Sequence, residues 1–311
     1  MKETIKIGTR GSQLALWQAY YIQEKLQQAG ATTELVIIET KGDKILDRAL
    51  SKIGSKGVFT EELEEQLLNG GIDIAVHSTK DLPSDVGENF EVIAFTEREK
   101  PNDVLVSNNP NITLETISEF VIGTSSTRRI ATLKAQYPTI KIVDMRGNLQ
   151  TRIRKMEEGE CDALVLAFAG VHRMGYDELI RAEFSMENVT TAVGQGSVAI
   201  EVAKNLVAAK KEFIGNACNH PKTERLLLIE RAFLNEMNGG CSIPVFGNAS
   251  YQTDGTILFR AGITSLDGEK KVTKTAVLQE KMDENTFGRE IAKEILTNGG
   301  KEILAEIRTL L

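Results

Sequence analysis

The sequence predicts an α/β fold in which two α/β domains precede a smaller α+β domain. Three observations support this. Short β-branched runs alternate with helical patterns through the first two thirds of the chain. The stretch EREKPNDVLVSNNPN, rich in turn residues and proline, interrupts that alternation and reads as a crossing between domains. From about Lys222 the pattern becomes one helix, then meander-like strands.

Taken in order, the strand candidates are IKIGT, ELVIIE, IDIAVH, EVIAFT, DVLVS, FVIGT, IKIVDM and DALVLA. Between several of them lie the helical patterns SQLALWQAYYIQEKLQQAG, FTEELEEQLLNGG, STRRIATLKAQY and NLQTRIRKMEEGE. Three of these four end near glycine, a common C-terminal stop. Apolar strands separated by helices imply βαβ units and sheets covered on both faces. A long helix, VAIEVAKNLVAAKKEFIG, is expected after the glycine-rich TAVGQGS; packed back on the first domain, it would make that domain discontinuous. The expected boundaries are 1–98 with 196–217, then 99–195, then 218–311. The last unit should hold the helix ERLLLIERAFLNEMNGG, the strands NASYQ, ILFRAGITS and KVTKTAVLQ, and a closing helix. The polar segment TKGDKILDRALSKIGSKG reads either as a lid, over about residues 41–57, or as a surface connection.

The chain has 311 residues, 41 % hydrophobic and 26 % charged, as expected of a globular protein of two or three domains. It has no apolar run of about 18 residues and no signal-peptide core, so a cytosolic location is expected, with no membrane partner. A formal charge of −7 disfavours general nucleic-acid binding. Any anionic ligand must be drawn in by a local cluster working against that field.

Such a cluster stands in VIGTSSTRRIATLKAQYP. A strand meets Thr124, Ser125 and Ser126, then Arg128 and Arg129 open a helix. Free N–H groups at a helix N-terminus, hydroxyl donors and two guanidinium groups make an anion cradle. The plan recurs with Arg146, Gly147 and Arg152 in IVDMRGNLQTRIRK, with Arg10 and Ser12 in IKIGTRGSQLALWQ, and with Arg173 in LAFAGVHRMG. Strand carboxyl ends face the ligand crevice in open α/β sheets, so these groups can converge on one cleft. The plainer reading is capping serines with solvated arginines; four coincident sites weigh against it. The spacing does not match a phosphate loop. Arginines that pair bidentately with carboxylates suggest a ligand with several carboxylates or phosphates.

IDIAVHSTKDLPSD places Ser78, Lys80 and Asp81 just past a buried strand. Among arginines Asp81 would stay ionised and could stabilise a cationic intermediate; otherwise it is a turn aspartate. Cys241, in NGGCSIPV, lies on a glycine-framed loop suited to a reactive thiol, whereas Cys161, beside a strand, and Cys218, in a polar linker, read as structural. Three scattered cysteines and His77, His172 and His220 offer neither a disulfide framework nor a metal site. The GxGxxA match in TAVGQGSVA is a weak dinucleotide signal.

The ordered set IGTRGSQLALWQA, KGDK, GSKGVFTEELE, DIAVHSTKDLPSD, IGTSSTRR, MRGNLQTR, LAFAGVHRMG, AVGQGSVAIE and NGGCSIPV spans nearly the whole chain and resembles the porphobilinogen deaminases (hydroxymethylbilane synthases) of tetrapyrrole, and so heme, biosynthesis. The resemblance implies two domains like periplasmic binding proteins with a cleft between them, a third domain carrying the cysteine, and a monomer. It implies a covalent dipyrromethane cofactor, itself made from two porphobilinogen units and held by a thioether to Cys241. Four further porphobilinogens would be joined head to tail with loss of ammonia, and the linear product released by hydrolysis. Lys80, Thr124, Ser125, Ser126, Arg128, Arg129, Arg146 and Arg173 match positions that hold pyrrole carboxylates. Arg10, Ser12 and Arg152 match positions near the incoming substrate. Gly147 and the Gly194–Gln195–Gly196 backbone would approach the ligand, and Asp81 matches the catalytic carboxylate. The chain departs from the family at Gln13, at Thr60-Glu61 where a lysine is common, and at Phe168. A binding or sensing module of the periplasmic type, for a di- or tricarboxylate, is the alternative; it would need neither Cys241 nor Asp81.

Overall fold

Alternating runs of Ile, Val and Ala form strands here because both faces of the sheets they enter are covered. The computed structural model describes residues 4–41, 60–238, 243–279 and 281–310. The 41–57 segment, beyond Lys41, and Cys241 lie outside the described residues.

The first sheet takes β1 (Ile5–Thr9), β2 (Thr33–Ile37), β3 (Ile74–Ser78), β4 (Phe90–Phe95) and β10 (Val198–Ala203), in the order β2-β1-β3-β10-β4. Helices α1 (Gln13–Gln28) and α2 (Glu61–Leu68) belong to this lobe. The second sheet takes β5 (Asp103–Val106), β6 (Val121–Gly123), β7 (Lys141–Val143), β8 (Ala163–Ala167) and β9 (Ile180–Glu183), in the order β7-β6-β8-β5-β9. Its helices are α3 (Thr127–Gln136), α4 (Leu149–Glu157) and the short α5 (Phe168–Arg173). In each sheet one inserted strand runs antiparallel to both neighbours: β10 in the first, β5 in the second. Those two strands are where the chain has just crossed from one lobe to the other.

After α6 (Ala208–Cys218), α7 (Pro221–Glu236) leads into an antiparallel sheet of β11 (Val245–Tyr251), β12 (Ile257–Thr264) and β13 (Lys271–Val277). Helices α8 (Glu284–Ile295) and α9 (Lys301–Leu310) follow. Phe233, Phe259 and Phe287 meet edge-on in the core of this unit.

Three expectations need correcting. VAIEVA is not the start of a long helix but strand β10, all six residues buried between β3 and β4; the helix begins only at Ala208. β-branched residues at alternate positions, buried on both faces, outweigh the helical reading. The single closing helix is two helices, because Asn298 and Gly299 leave helical geometry and Gly299 has φ 110°. Cys218 ends α6 and is buried rather than lying in a polar linker.

The crossings run side by side as a hinge. Glu99 N donates to Gly196 O (3.1 Å), Thr96 N to Val198 O (2.9 Å) and Ser197 Oγ to Thr96 O (3.0 Å). Gly194 and Gly196 both have positive φ, 77° and 98°. A Cβ on Gly196 would lie 2.3 Å from Glu99 O, and one on Gly194 would lie 2.9 Å from the Thr79 carbonyl carbon, so neither position tolerates a side chain. This geometry also excludes the dinucleotide reading of TAVGQGSVA, since the glycines lead into a strand rather than a helix N-terminus.

The third unit is tied to the hinge through one buried carboxylate. Glu230 on α7 accepts from Arg98 Nη1 and Nη2 (2.6 and 3.2 Å), Gly194 N (2.8 Å) and Ala249 N (2.8 Å). Arg98 also donates to Gln195 O (2.8 Å). Glu230→Gln would strip the charge from this node and leave Arg98 buried without a counter-ion. The expected cost is about 3–5 kcal/mol, seen as a lower Tm with the far-UV circular dichroism spectrum retained; an unchanged Tm would contradict it.

Candidate functional site

Strand ends of the two lobes carry the candidate residues. β3 runs straight into a 3-10 turn, Thr79–Asp81, that presents Lys80 and Asp81. Thr79 is buried, Lys80 half-buried and Asp81 exposed. No hydrogen bond to the Asp81 carboxylate is present among the described residues. Gly194 of the hinge backs directly onto this turn, its missing Cβ leaving room for Thr79 and the Lys80 N–H. Also in the first lobe, Arg10 follows β1, and Ser12 caps α1 by accepting from Ala15 N (3.4 Å).

In the second lobe the hydroxyl cluster behaves as its sequence suggests. Ser126 caps α3 by accepting from Arg129 N (3.4 Å), and Thr124 Oγ1 accepts from Ser126 N (3.3 Å). Ser125 lies half-buried between them. The arginines, however, are neither solvated nor wholly free for a ligand. Arg128 and Arg129 are each 5 % exposed and grip the same buried carboxylate. Arg128 Nη2 donates to Asp103 Oδ2 and Arg129 Nη2 to Asp103 Oδ1, both at 2.7 Å. Arg128 Nη1 reaches Thr190 O (3.0 Å) and Arg129 Nη1 reaches Val165 O (2.9 Å). Gln195 Nε2, from the hinge, adds a third donor to Asp103 Oδ1 (2.9 Å). Burial alone would raise the Asp103 pKa; the two guanidinium groups outweigh it and hold the carboxyl well below the usual range.

Beside them, Arg146 follows β7 and donates to Asp144 Oδ2 (2.7 Å). Asn148 caps α4, and Gly147 takes φ 114° so that its carbonyl can accept from Arg152 Nε (2.7 Å). Burial pushes Arg152 down to about 10, with Arg129 adding to the shift and Asp81 opposing it. Burial likewise pushes Lys80 down to about 8, opposed by Asp81 and reinforced by Arg129. Lys80 keeps part of its surface, but protein packs closely enough around it to disfavour the charge. These mutual influences place Lys80 and Asp81 of one lobe within electrostatic reach of Arg128, Arg129 and Arg152 of the other. With Arg146 and Asp144, five cations face three carboxylates, so the cluster is net positive inside an acidic protein.

Arg173 stands apart. It ends α5, donates to Gly196 O (2.8 Å) and lies 5.0 Å from the Trp17 ring centroid on α1, so in this state it bridges the lobes at the hinge. Phe168, one of the departures, stacks on His172, and Lys100 Nζ lies 5.2 Å from its ring centroid. Thr60 precedes α2, and Gln13 opens α1. Neither buried cysteine suits chemistry, because burial pushes Cys161 up to about 11 and Cys218 up to about 12. No cluster of metal ligands occurs among the described residues, and no helix there is long and apolar enough to cross a membrane.

Sequence reasoning missed Asp103, Arg98, Glu230 and Trp17. Asp103 left one signal: a fully buried aspartate at the head of an apolar strand needs a cationic partner, and an Arg-Arg pair was available.

The donor set fits an oligoanion. Each guanidinium is fixed by Asp103 and a carbonyl, yet has N–H groups beyond those bonds, and Arg128 Nε and Arg129 Nε are buried with no acceptor among the described residues. Comparison with known proteins agrees with this. Residues 5–211 match the family model "Porphobilinogen deaminase, dipyromethane cofactor binding domain", and residues 225–297 match "Porphobilinogen deaminase, C-terminal domain". A porphobilinogen deaminase of Cytophaga hutchinsonii is 54 % identical over 308 residues, covering 99 % of this chain and 98 % of the relative. One of Desulfosudis oleivorans is 50 % identical over 305 residues, covering 98 % of each. Among solved structures, the periplasmic VFT2 domain of Bordetella pertussis BvgS aligns with 69 % of this chain and 86 % of its own at 14 % identity and a TM-score of 0.44. The family match sets aside the sensing-module alternative.

Asp103→Asn should leave two buried guanidinium groups facing a neutral amide, at a cost of about 3–5 kcal/mol. The pH dependence follows from the depressed carboxyl pKa. Its stabilisation is complete above the unfolded value, about 3.9, and is lost as pH falls through the folded value. The wild-type Tm should therefore fall from about pH 4 downward, and that part of the slope should be missing in Asp103→Asn. Parallel curves would contradict the assignment.

Proposed function

The chain belongs to the porphobilinogen deaminase family of transferases, and we propose that it is a hydroxymethylbilane synthase. In this reading it joins four porphobilinogen molecules head to tail, losing one ammonia at each, and releases the linear tetrapyrrole by hydrolysis. What supports it is that Lys80 of one lobe feels the charges of Arg128 and Arg129 of the other, and Arg152 that of Asp81, where Gly194 of the hinge packs against the Thr79–Lys80 turn. The units are then residues 1–98 with 196–217, 99–195 and 218–311, and the protein is a monomer.

Dipyrromethane, when bound, supplies the free pyrrole position at which the first substrate is added. Cys241 would hold it by a thioether. Lys80, Thr124, Ser125, Ser126, Arg128, Arg129 and Arg146 would hold acetate and propionate groups, with Arg173 joining them from the hinge. Arg10, Ser12 and Arg152 would receive the incoming substrate, and the backbone of Gly147 and Gln195 would lie close by.

The protein's own part is positional and electrostatic. Asp103 orients Arg128 and Arg129 before any ligand arrives, so little ordering remains to be done on binding. Each charge-assisted bond to a carboxylate is worth about 1.5–3 kcal/mol. As the aminomethyl C–N bond of porphobilinogen breaks and ammonia leaves, positive charge develops on the substrate, and the Asp81 carboxylate stabilises it. The same carboxylate can accept hydrogen bonds from pyrrole N–H groups and take up the proton released when the new carbon–carbon bond forms. Lys80, lowered to about 8, gains charge stability when a ligand carboxylate approaches, because an anion favours its protonated form.

Intact-mass measurement tests the reading directly. The purified protein should exceed its polypeptide mass by one dipyrromethane, and Cys241→Ala should abolish both the excess and the turnover of porphobilinogen. An unmodified yet fully active protein would refute it. Asp81→Ala should retain the mass excess and Tm while lowering kcat by about 10²-fold or more; near-wild-type kcat would remove Asp81 from the mechanism.

A further inference from the structure

We propose that Arg231, on α7 of the third unit, is a positioning residue for the Asp81 carboxylate; this rests on the functional reading above. Asp81 is exposed, and no hydrogen bond to its side chain is present among the described residues, so the backbone on either side sets where it points. On the N-terminal side β3 and Gly194 fix the turn. On the C-terminal side the chain reads Leu82-Pro83-Ser84. Pro83 has no N–H to donate, and within the turn Leu82 N makes only a long bond to Thr79 O (3.3 Å). The carbonyls remain as handles, and Arg231 Nη2 takes two of them, Pro83 O at 3.1 Å and Ser84 O at 3.2 Å.

A second contact from the same helix face supports this hold. Leu82 is 3 % exposed and lies in a small core with Phe95, Ala199 and Leu227. Leu227 and Arg231 are four residues apart and lie on one face of α7. Glu230, next to Arg231, grips Arg98 and Gly194 N. One turn of α7 thus holds both the hinge behind the Asp81 turn and the segment that leaves it. Arg231 also lies within electrostatic reach of Glu201 of β10 and of Asp85. Releasing the two carbonyls frees Leu82-Pro83-Ser84 to shift, and a displacement of about 1 Å at a reacting group can cost about 10²-fold in rate.

The test is steady-state kinetics on cofactor-loaded protein. Arg231→Met keeps the apolar stem and removes the donors; Arg231→Lys keeps a cation with N–H groups but loses the fork. For Arg231→Met the expected result is kcat reduced 10- to 100-fold, KM within about twofold of wild type, and the dipyrromethane mass excess retained. Arg231→Lys should recover part of the kcat. The inference is overturned if Arg231→Met keeps kcat within about twofold of wild type. It is equally overturned if kcat falls only in step with cofactor loading and Tm, with the lysine variant no better, since that pattern describes a fold contact. Wild-type protein that fails to turn over porphobilinogen would instead overturn the functional reading.

Discussion

A buried aspartate decides where the positive charge of this protein sits. Two guanidinium groups on adjacent helical residues would repel each other and desolvate at high cost if nothing stood between them. Asp103 supplies one oxygen to each, at 2.7 Å, from the first residue of β5. It cancels one of the two charges and leaves the other for a ligand. Because Gln195 bonds to the same carboxylate, the orientation of both arginines is also referred to the hinge.

The hinge shows the same economy of parts. β5 and β10 are the strands that run against their sheets, and each follows a crossing. Glycines with positive φ let the return crossing lie against Glu99 on one side and the Thr79–Lys80 turn on the other. Glu230 and Arg98 then join the third unit to that junction. The Thr79–Asp81 turn, Arg128 and Arg129, and helix α7 are therefore tied together through the hinge by two buried carboxylates, Asp103 and Glu230, both fully enclosed. Charged bonds at Glu230 and Asp103, carbonyl contacts of Arg173 and Arg231 and the small apolar core of Leu82 and Leu227 then tie the parts together around the glycine-lined crossing.

Much of this was legible beforehand, for identifiable reasons. Strands such as IKIGT and DALVLA carry apolar periodicity that no other element explains, and Ser12, Ser126 and Asn148 cap helices where local chemistry demands it. The cap at Ser126 and the placing of Arg128 and Arg129 in the first turn of α3 were readable because capping and charge are local properties. What was not legible depends on long-range pairing. VAIEVA carries both helical and strand signals, and only the gap between β3 and β4 decides for the strand. The partners of Arg128 and Arg129 lie 25 and 26 positions away, and the partner of Arg98 lies 132 away. The placement of Arg173 over Trp17, on a different lobe, likewise leaves no mark in local sequence.

An acidic protein that accepts an acidic ligand has to separate its outer field from its inner one. At the surface, charges lie in water and are screened within about 8–10 Å. Inside the cleft the same charges act through less polarisable surroundings and count for more. Asp103, itself fully buried, meets Arg128 and Arg129 edge-on through their Nη2 groups, so the necessary counter-charge is supplied from inside the protein. Asp81 is different again: Asp144 is also exposed but is paired with Arg146, whereas no hydrogen bond to the Asp81 carboxylate is present among the described residues. That position is useful only if something cationic forms next to it, since otherwise it would repel the anions the arginines attract. In a simple anion-binding pocket an exposed aspartate is a defect; on the proposed function it is an asset, because positive charge would appear transiently on a bound polycarboxylate.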